Sequence, residues 1–236
     1  AYLLLNVEAE LDTQNPQQAL AAMYAADMVV AMSAYKHYAS AYADVMLPIA
    51  PFTETSGTFV NTEGRVQSFN GAVKPLGDAR PAWKVLRVLG NLLNLDGFNH
   101  DSSEAVRDEA LADVEVAGSL DNALHGVTAQ TATAMAGLQR VAEVPIYSSD
   151  AMVRRAPALQ ATHDALPPCA AMRADELAKL GLQPGDLVKV SQGEGSARLA
   201  AALDDTLPRG VVRVAAGHAM TAQLGAMFGT ISVERA

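Results

Sequence analysis

Apolar runs and segments of helical composition alternate along the first third of the chain. Residues 2–7 and 28–32 are almost continuously apolar, which is typical of strands covered on both faces of a parallel sheet. Between them, Asn15 is a favourable helix N-cap and Pro16 suits the first helical position, so a helix is expected from Pro16 to about Ala26. This strand–helix–strand order predicts a right-handed crossover within an α/β layer.

A β-hairpin is predicted after this layer. Residues 58–61 and 65–69 are rich in residues that favour strands, and Thr62, Glu63 and Gly64 separate the two runs. Gly64 is the position best suited to a positive φ angle, because glycine lacks the Cβ atom that disfavours it.

Two helices are predicted beyond the hairpin. Residues 81–95 carry leucines at helical spacing, and Pro81 suits the first turn. Residues 104–114 form the second predicted helix. It lies within a stretch rich in Ala, Ser and Thr, from residue 99 to about 139, whose weak periodicity is typical of a peripheral insertion.

The last third of the chain has the pattern of a compact barrel. A short helix over residues 174–180 ends at Gly181, and strands are predicted near residues 187–191, 197–203 and 211–215. Short strands separated by Gly- and Pro-containing turns are typical of small closed barrels.

The patterns together divide the chain into three regions. Residues 1–98 are predicted to form an α/β region with the hairpin, residues 99–166 a mainly helical connecting or insertion region, and residues 167–236 the barrel. Within the middle region, residues 144–156 are expected to form a strand or turn and then a short helix that Pro157 ends.

Composition excludes several classes of partner. The chain has 236 residues, half of them apolar, and a net charge of −9, so a basic face for nucleic acid or an anionic membrane is not expected. No run approaches the ~18 apolar residues of a membrane span, so direct membrane insertion is not expected either. Because the chain starts within a strand-like run and without an initiator Met, we expect it to be the C-terminal piece of a longer polypeptide.

The sequence lacks local signatures of catalysis or metal binding. The single Cys169 cannot ligate an iron–sulfur cluster alone, and neither a phosphate-binding glycine motif nor a Gly-x-Ser-x-Gly nucleophile motif occurs. The five histidines are far apart and form no close-spaced ligand pair; they are His37, His100, His125, His163 and His218. We therefore predict no catalytic residue and no metal ligand.

The charges of the hairpin region are the most informative ones. Glu54, Glu63 and Arg65 lie in an otherwise apolar, β-rich stretch, where unpaired burial would be costly. Arg65 is expected to stabilise the fold by pairing with Glu54 or Glu63. The alternative interpretation is that Arg65 and Asn61 face a cavity.

Two regions of the chain resemble the molybdopterin oxidoreductase superfamily. The first is residues 43–67, Ala-Asp-Val-Met-Leu-Pro-Ile-Ala-Pro-Phe-Thr-Glu-Thr-Ser-Gly-Thr-Phe-Val-Asn-Thr-Glu-Gly-Arg-Val-Gln. Residues 52–55, Phe-Thr-Glu-Thr, are most similar to the large iron–sulfur subunit of bacterial respiratory complex I. The second region, residues 167–236, resembles the molybdopterin-dinucleotide-binding domain, a double-psi β-barrel.

The resemblance implies a C-terminal structural segment of a proton-translocating NADH:quinone oxidoreductase, which passes electrons from NADH through FMN and iron–sulfur clusters to quinone. It implies that this segment is a scaffold without a cofactor of its own, with Asn61 and Arg65 marking a vestigial pocket. The clusters would lie in the upstream part of the subunit. That part and other peripheral-arm subunits would be the partners, at the cytoplasmic, inner face of the bacterial membrane.

Two alternatives remain open. The first is a fragment of an active molybdenum or tungsten oxidoreductase, similar to formate dehydrogenases, which binds molybdopterin dinucleotide. The mostly small and apolar residues 216–229 offer few donors for such a group and favour an empty pocket instead. The second alternative is a stand-alone interaction module.

Overall fold

A computed structural model of the chain describes residues 1–124, 126–128 and 136–236. These residues form two compact units. The first unit contains the described residues of 1–29, 37–44 and 132–236, and the second contains those of 30–36 and 45–131. His125 lies outside the described residues.

The regular elements alternate in type along the N-terminal half and are mostly strands in the C-terminal part. The strands and helices are β1 (Tyr2–Leu5), α1 (Ala9–Asp12), α2 (Pro16–Tyr24), β2 (Val29–Ser33), β3 (Val45–Pro48), β4 (Gly57–Val60), β5 (Val66–Phe69), α3 (Ala82–Leu92), α4 (Ser103–Leu111), β6 (Leu138–Val141), α5 (Pro157–Gln160), β7 (Cys169–Met172), α6 (Ala174–Lys179), β8 (Leu187–Gln192), β9 (Gly195–Leu203), β10 (Val211–Arg213) and β11 (Phe228–Arg235). Short 3₁₀ turns occur at Tyr38–Ala41, Phe52–Glu54, Ala117–Ser119, Ile146–Ser148, Val153–Arg155 and Ala219–Thr221. Within the described ranges, none of the helices combines the length and apolar character that crossing a bilayer requires.

The start of the first unit confirms the predicted helix cap. The N–H of Gln18 donates to the side-chain oxygen of Asn15 at 3.2 Å, and Pro16 opens α2. Strand β1 forms as expected, but its side chains are mostly exposed. We expected both faces of β1 to be buried against other elements, and this expectation is wrong.

In the second unit, β2 and β3 run parallel, with Val30 opposite Val45. The predicted hairpin is confirmed: β4 and β5 pair in antiparallel register, and Gly64 has a φ of +78°. Helix α3 follows Pro81 as predicted. Its buried Gly90 is required, because a Cβ atom there would lie 2.2 Å from the ring of Phe98.

The C-terminal strands close into a barrel in the order β10–β6–β11–β8–β9–β7, which confirms the predicted α/β fold class with a β-barrel. Two of the pairs, β6 with β10 and β7 with β9, are parallel, and β10 meets β7 to close the ring. The barrel includes β6, which precedes residue 167, and also β7 and β11, which the sequence pattern did not predict. The three predicted region boundaries themselves stay predictions.

Alternating side chains of the strands fill the barrel interior. In β8, Val188 and Val190 are buried while their neighbours are more exposed, as expected for one covered face. Val188 and Val190 belong to the hydrophobic core of the barrel. The other buried residues of this core are Ala170, Met172, Leu177, Leu182, Ala197, Leu199, Ala201, Val212, Val214, Leu224, Ile231 and Val233.

The segment before the barrel differs from its prediction at Pro157. Residues 144–156 contain two 3₁₀ turns, and Pro157 begins α5 instead of ending a helix. The physical reason is that proline is tolerated in the first turn, where its missing N–H has no helical partner to lose.

A buried cation, Arg140 of β6, lies in the first unit and is only 2% exposed. Its guanidinium donates to five neutral oxygens at 3.0–3.3 Å, namely the carbonyls of Val214, Ala215, Gly225 and Ala226 and the side-chain oxygen of Gln192. Burial lowers the pKa of Arg140 to about 10, so the side chain is still protonated at neutral pH.

We predict that Arg140→Ala lowers the free energy of unfolding by about 3 kcal/mol, because buried acceptors lose their donor and a cavity remains. Chemical denaturation of the full chain measures this. The matched control is Arg198→Ala on β9, whose side chain is exposed and whose loss is expected to cost less than about 0.5 kcal/mol. Equal losses in the two variants would contradict the assigned role of Arg140.

Candidate functional site

A cavity of about 340 Å³ lies in the first unit. Its walls come from the turn after β1, from α1 and the loop behind it, from the segment after β6, and from the residue before β11. The lining residues are Asn6, Val7, Leu11, Asp12, Thr13, Gln14, Val144, Ser149, Asp150, Ala151 and Met227.

Special backbone conformations occur in the wall at Asn6 and beside the wall at Val144. Asn6 has a φ of +53°, a left-handed conformation that asparagine tolerates better than most residues. Gly217 has a φ of +70°, and a Cβ atom there would lie 3.0 Å from Cγ1 of Val144 and 3.2 Å from the carbonyl oxygen of Ser148. The N–H of Met227 donates to the carbonyl of Gln14 at 3.0 Å. Loops that are distant in sequence are thus held together around the cavity.

A buried charge network joins α1 to the segment after β6. Glu8 is 1% exposed, and its carboxylate meets Nη1 of Arg155 at 2.6 Å and Nη2 of Arg154 at 3.5 Å. The contact between Nη1 of Arg155 and Oε1 of Glu8 does not have the angles of a hydrogen bond, so the two groups form an ion pair. Arg154 also bonds Asp12 Oδ1 and the carbonyl of Ser148, both at 2.8 Å. Asp12 lines the cavity and Ser148 precedes the lining residue Ser149, so the network connects two of the cavity walls.

The polar lining of the cavity is rich in acceptors. Asp12 uses one oxygen for Arg154 and the other for the N–H of Glu8 at 2.7 Å. Asp150 Oδ1 accepts the N–H groups of Met152 and Val153 at 2.8 and 3.0 Å. Neutral polar groups complete the lining, at Asn6, Thr13, Gln14 and Ser149. No basic side chain is among these lining residues.

Glu10 is a buried carboxyl group of α1 with an incomplete set of partners. It is 7% exposed, and its Oε2 has no hydrogen-bond partner among the described residues. Burial raises its pKa, opposed by a hydrogen bond to its own N–H, and the charges of Glu8 and Asp12 raise the pKa further. Burial and the nearby Glu10 also raise the pKa of Tyr42 to about 12.

The sequence-predicted residues Asn61 and Arg65 lie in the exposed hairpin of the second unit. The side-chain oxygen of Asn61 accepts the N–H groups of Glu63 and Arg65, at 3.0 and 2.9 Å, and so stabilises the turn. Arg65 pairs with Glu63 at 3.0 Å, but the side chains are 72% and 66% exposed. Such a pair contributes little to stability. The expected pairing of Arg65 with Glu63 is confirmed, although the pair is exposed and not buried, and a cofactor role for Asn61 and Arg65 stays a prediction.

The described histidines act mainly in local hydrogen bonds. Nδ1 of His37 accepts the N–H of Ala39, and Nδ1 of His218 accepts the N–H of Met220. Burial lowers the pKa of both rings. His100 lies 2.7 Å from a carboxylate oxygen of Glu109. Across the described residues there is no group of three or more His, Cys, Asp or Glu side chains that could hold a metal ion.

Two parts of the chain match known family models. Residues 1–92 match the family model "Molybdopterin oxidoreductase", and residues 141–230 match "Molydopterin dinucleotide binding domain". The chain is therefore similar to molybdopterin oxidoreductases over residues 1–92 and to the dinucleotide-binding domain over residues 141–230.

Its curated relatives include two Staphylococcus aureus proteins, each named "Putative formate dehydrogenase". The protein of strain MRSA252 is 40% identical and that of strain USA300 is 39% identical, over 83 residues in each case. The matched part is 35% of this chain and spans only 8% of the length of each relative. Among solved structures, acetylene hydratase from Pelobacter acetylenicus has a TM-score of 0.66 and 16% identity, covering 99% of this chain and 44% of that one. This likeness shows the fold.

The expectation of a segment without a cofactor is wrong, because residues 141–230 match a domain that binds the molybdopterin dinucleotide. The cavity of the first unit fits the nucleoside end of such a group. The carboxylates of Asp12 and Asp150 are chemically able to accept base N–H groups, and the amide and hydroxyl groups of the lining are able to bond further base and ribose atoms. The lining lacks the cation that phosphates favour, so it fits one end of the cofactor and not its phosphates.

We predict that Glu10→Gln stabilises the chain at pH 8 and has little effect at pH 4. The folded-state pKa of Glu10 is raised, so folding favours the protonated form, and the wild-type chain loses stability as the pH rises through that pKa. Denaturation curves at the two pH values measure the difference. Glu194→Gln, in the exposed turn between β8 and β9, is the control. An effect of Glu10→Gln that is the same at both pH values would contradict the prediction.

Proposed function

We propose that this chain is part of a formate dehydrogenase-like molybdenum or tungsten oxidoreductase. One observation carries the proposal: the match of residues 141–230 to a dinucleotide-binding domain covers most of the barrel and five of the eleven residues that line the cavity of the first unit. The names of the staphylococcal relatives favour formate as the substrate class. The reaction would convert formate to carbon dioxide and release one proton and two electrons to an acceptor.

In this proposal the chain binds and orients the nucleoside end of the cofactor. Asp150 accepts base N–H groups. Its side chain is held in place because Oδ1 also accepts the N–H of Val153. Asp12 accepts in the same way and is held by Arg154. Met227, which lines the cavity, would pack against the base. When bound, the cofactor supplies the metal at which the two electrons are taken up.

The activity would belong to a larger assembly, because the matched part is a small share of each relative. Exposed apolar side chains of α3 support contacts with further protein domains, since isolated surfaces seldom expose several large apolar groups together. They include Val88 and Leu92, with Leu93 directly after the helix.

The second candidate is the large iron–sulfur subunit of a bacterial NADH:quinone oxidoreductase. The Phe-Thr-Glu-Thr sequence of residues 52–55 favours it. In that assembly the chain would lie in the peripheral arm, at the inner face of the cell membrane, with flavin- and cluster-bearing subunits as partners. The family matches support the superfamily and favour the formate dehydrogenase-like alternative.

The test is the composition and activity of the protein isolated anaerobically from its native cells. We expect stoichiometric molybdenum or tungsten by elemental analysis, pterin fluorescence after oxidation, and formate-dependent reduction of a viologen dye. Protein that lacks pterin and copurifies with flavin, clusters and NADH oxidation activity would support the second candidate. Protein without pterin or redox partners would indicate an interaction module.

A matched pair of variants tests the assigned cavity. Asp150→Asn keeps the oxygen that caps the turn at Val153 but replaces an acceptor oxygen with a donor. We expect the pterin content at limiting cofactor supply to fall about tenfold, the equivalent of one lost charged hydrogen bond. Asp164→Asn, at an exposed position, is the control. Unchanged pterin content in Asp150→Asn would contradict this assignment.

A further inference from the structure

A side-chain amide of α2, that of Gln17, joins the N-terminal segment of the first unit to the barrel. Its Nε2 donates to the carbonyl oxygen of Gln192 at 2.9 Å and to that of Gln223 at 3.0 Å. Gln192 ends β8, and Gln223 lies in the loop before β11. One amide group therefore bridges two barrel segments that are distant in sequence and holds α2 against both.

The turn between β8 and β9 is shaped to accept this amide. A Cβ atom at Gly195 would lie 2.6 Å from Nε2 of Gln17, and one at Gly193 would lie 3.0 Å from its Oε1. A side chain at either position would therefore push the amide away from the carbonyl groups that it holds.

The bridge continues into the barrel interior through Gln192. Its side chain donates to the carbonyl of Ala226 at 2.8 Å and accepts from Nη1 of Arg140 at 3.0 Å. Gln17 is thus bonded to a residue that the buried Arg140 holds in turn.

The segments that Gln17 joins also form walls of the cavity of about 340 Å³. Asp12, Thr13 and Gln14 line it just before α2 begins, and Met227 lines it just before β11 begins. The N–H of Met227 donates to the carbonyl of Gln14 at 3.0 Å, so the two walls are in direct contact. Because Gln17 follows Gln14 closely in the first turn of α2, a shift of α2 relative to the barrel would also shift the wall formed by residues 12–14.

We propose that Gln17 is a positioning residue for this cavity, which sets the wall of residues 12–14 against the wall at Met227. Gln17 is not among the lining residues, so it acts on the cofactor through these walls. Its importance for cofactor binding rests on the proposed function. A net hydrogen bond contributes about 1 kcal/mol, and an acceptor left unpaired costs more, so the loss of this amide is large enough to loosen the contact.

Two variants of the full-length protein, produced in its native cells, test the proposal. Gln17→Met removes both donors at similar length, and Gln17→Glu turns a carboxylate oxygen toward two carbonyl oxygens. The matched control is Gln18→Met, at the neighbouring exposed position.

The first measurement is hydrogen exchange of the Met227 N–H by mass spectrometry. We expect exchange about tenfold faster in Gln17→Met, the equivalent of one lost hydrogen bond, and faster still in Gln17→Glu. The N–H of Val153, which Asp150 holds on another wall, is expected to keep its rate. Unchanged exchange at Met227 in both variants, or equal acceleration at Met227 and Val153, would overturn the proposal.

The second measurement is the pterin content at limiting cofactor supply. We expect it to fall about tenfold in Gln17→Glu and to stay unchanged in Gln18→Met, because the apparent affinity falls with the fraction of molecules whose cavity is correctly formed. Faster exchange at Met227 with undiminished pterin content would rule out a positioning role. Wild-type protein without pterin would instead contradict the proposed function, and the exchange rates would then decide alone whether Gln17 sets this wall.

Discussion

The hydrogen bonds of the buried Arg140 guanidinium are the constraint on which the first unit depends. A cation removed from water must satisfy its donors, and here all the acceptors are oxygens of loops and of one side chain. The carbonyls of Val214 and Ala215 follow β10, and those of Gly225 and Ala226 precede β11. Gln192, at the end of β8, reinforces this arrangement by donating to Ala226 at 2.8 Å. Three strand ends are thereby tied to β6.

This constraint reaches the candidate cofactor site through the chain itself. Met227 borders the cavity and directly follows the Ala226 carbonyl that Arg140 holds. Gly217 lies two residues beyond the Ala215 carbonyl and packs against Val144 and Ser148. On the other side, Arg154 and Arg155 hold α1 through Glu8. The cavity is thus bounded by loops that the hydrogen bonds of Arg140 and the ion pairs of Glu8 hold in place.

The parts of the fold that could be predicted from sequence are those governed by local rules. The cap of α2 requires only that the side chain of Asn15 accepts the N–H of Gln18, three residues later. The hairpin turn requires only a residue that tolerates a positive φ angle, and Gly64 does so. Barrel closure depends instead on pairing between distant segments, as between β6 and β10. Arg140 was missed because arginine is usually exposed, and no local pattern marks a buried one.

The cavity escaped sequence analysis for a related reason. Its acceptors come from residues 12 and 150, whose spacing carries no motif, so the lack of a glycine-rich phosphate signature excluded only one way of binding a nucleotide. The adjacent arginines 154 and 155, together with the alternating acidic residues 8, 10 and 12, were the available signal for a buried charge network. A family model detects the distributed pattern that single motifs do not contain.

The most direct measurement is an experimental density map of the protein isolated with its cofactor. We expect density for the nucleoside end of a molybdopterin dinucleotide in contact with Asp12 and Asp150. Clear cofactor density that leaves both carboxylates without contact would contradict it.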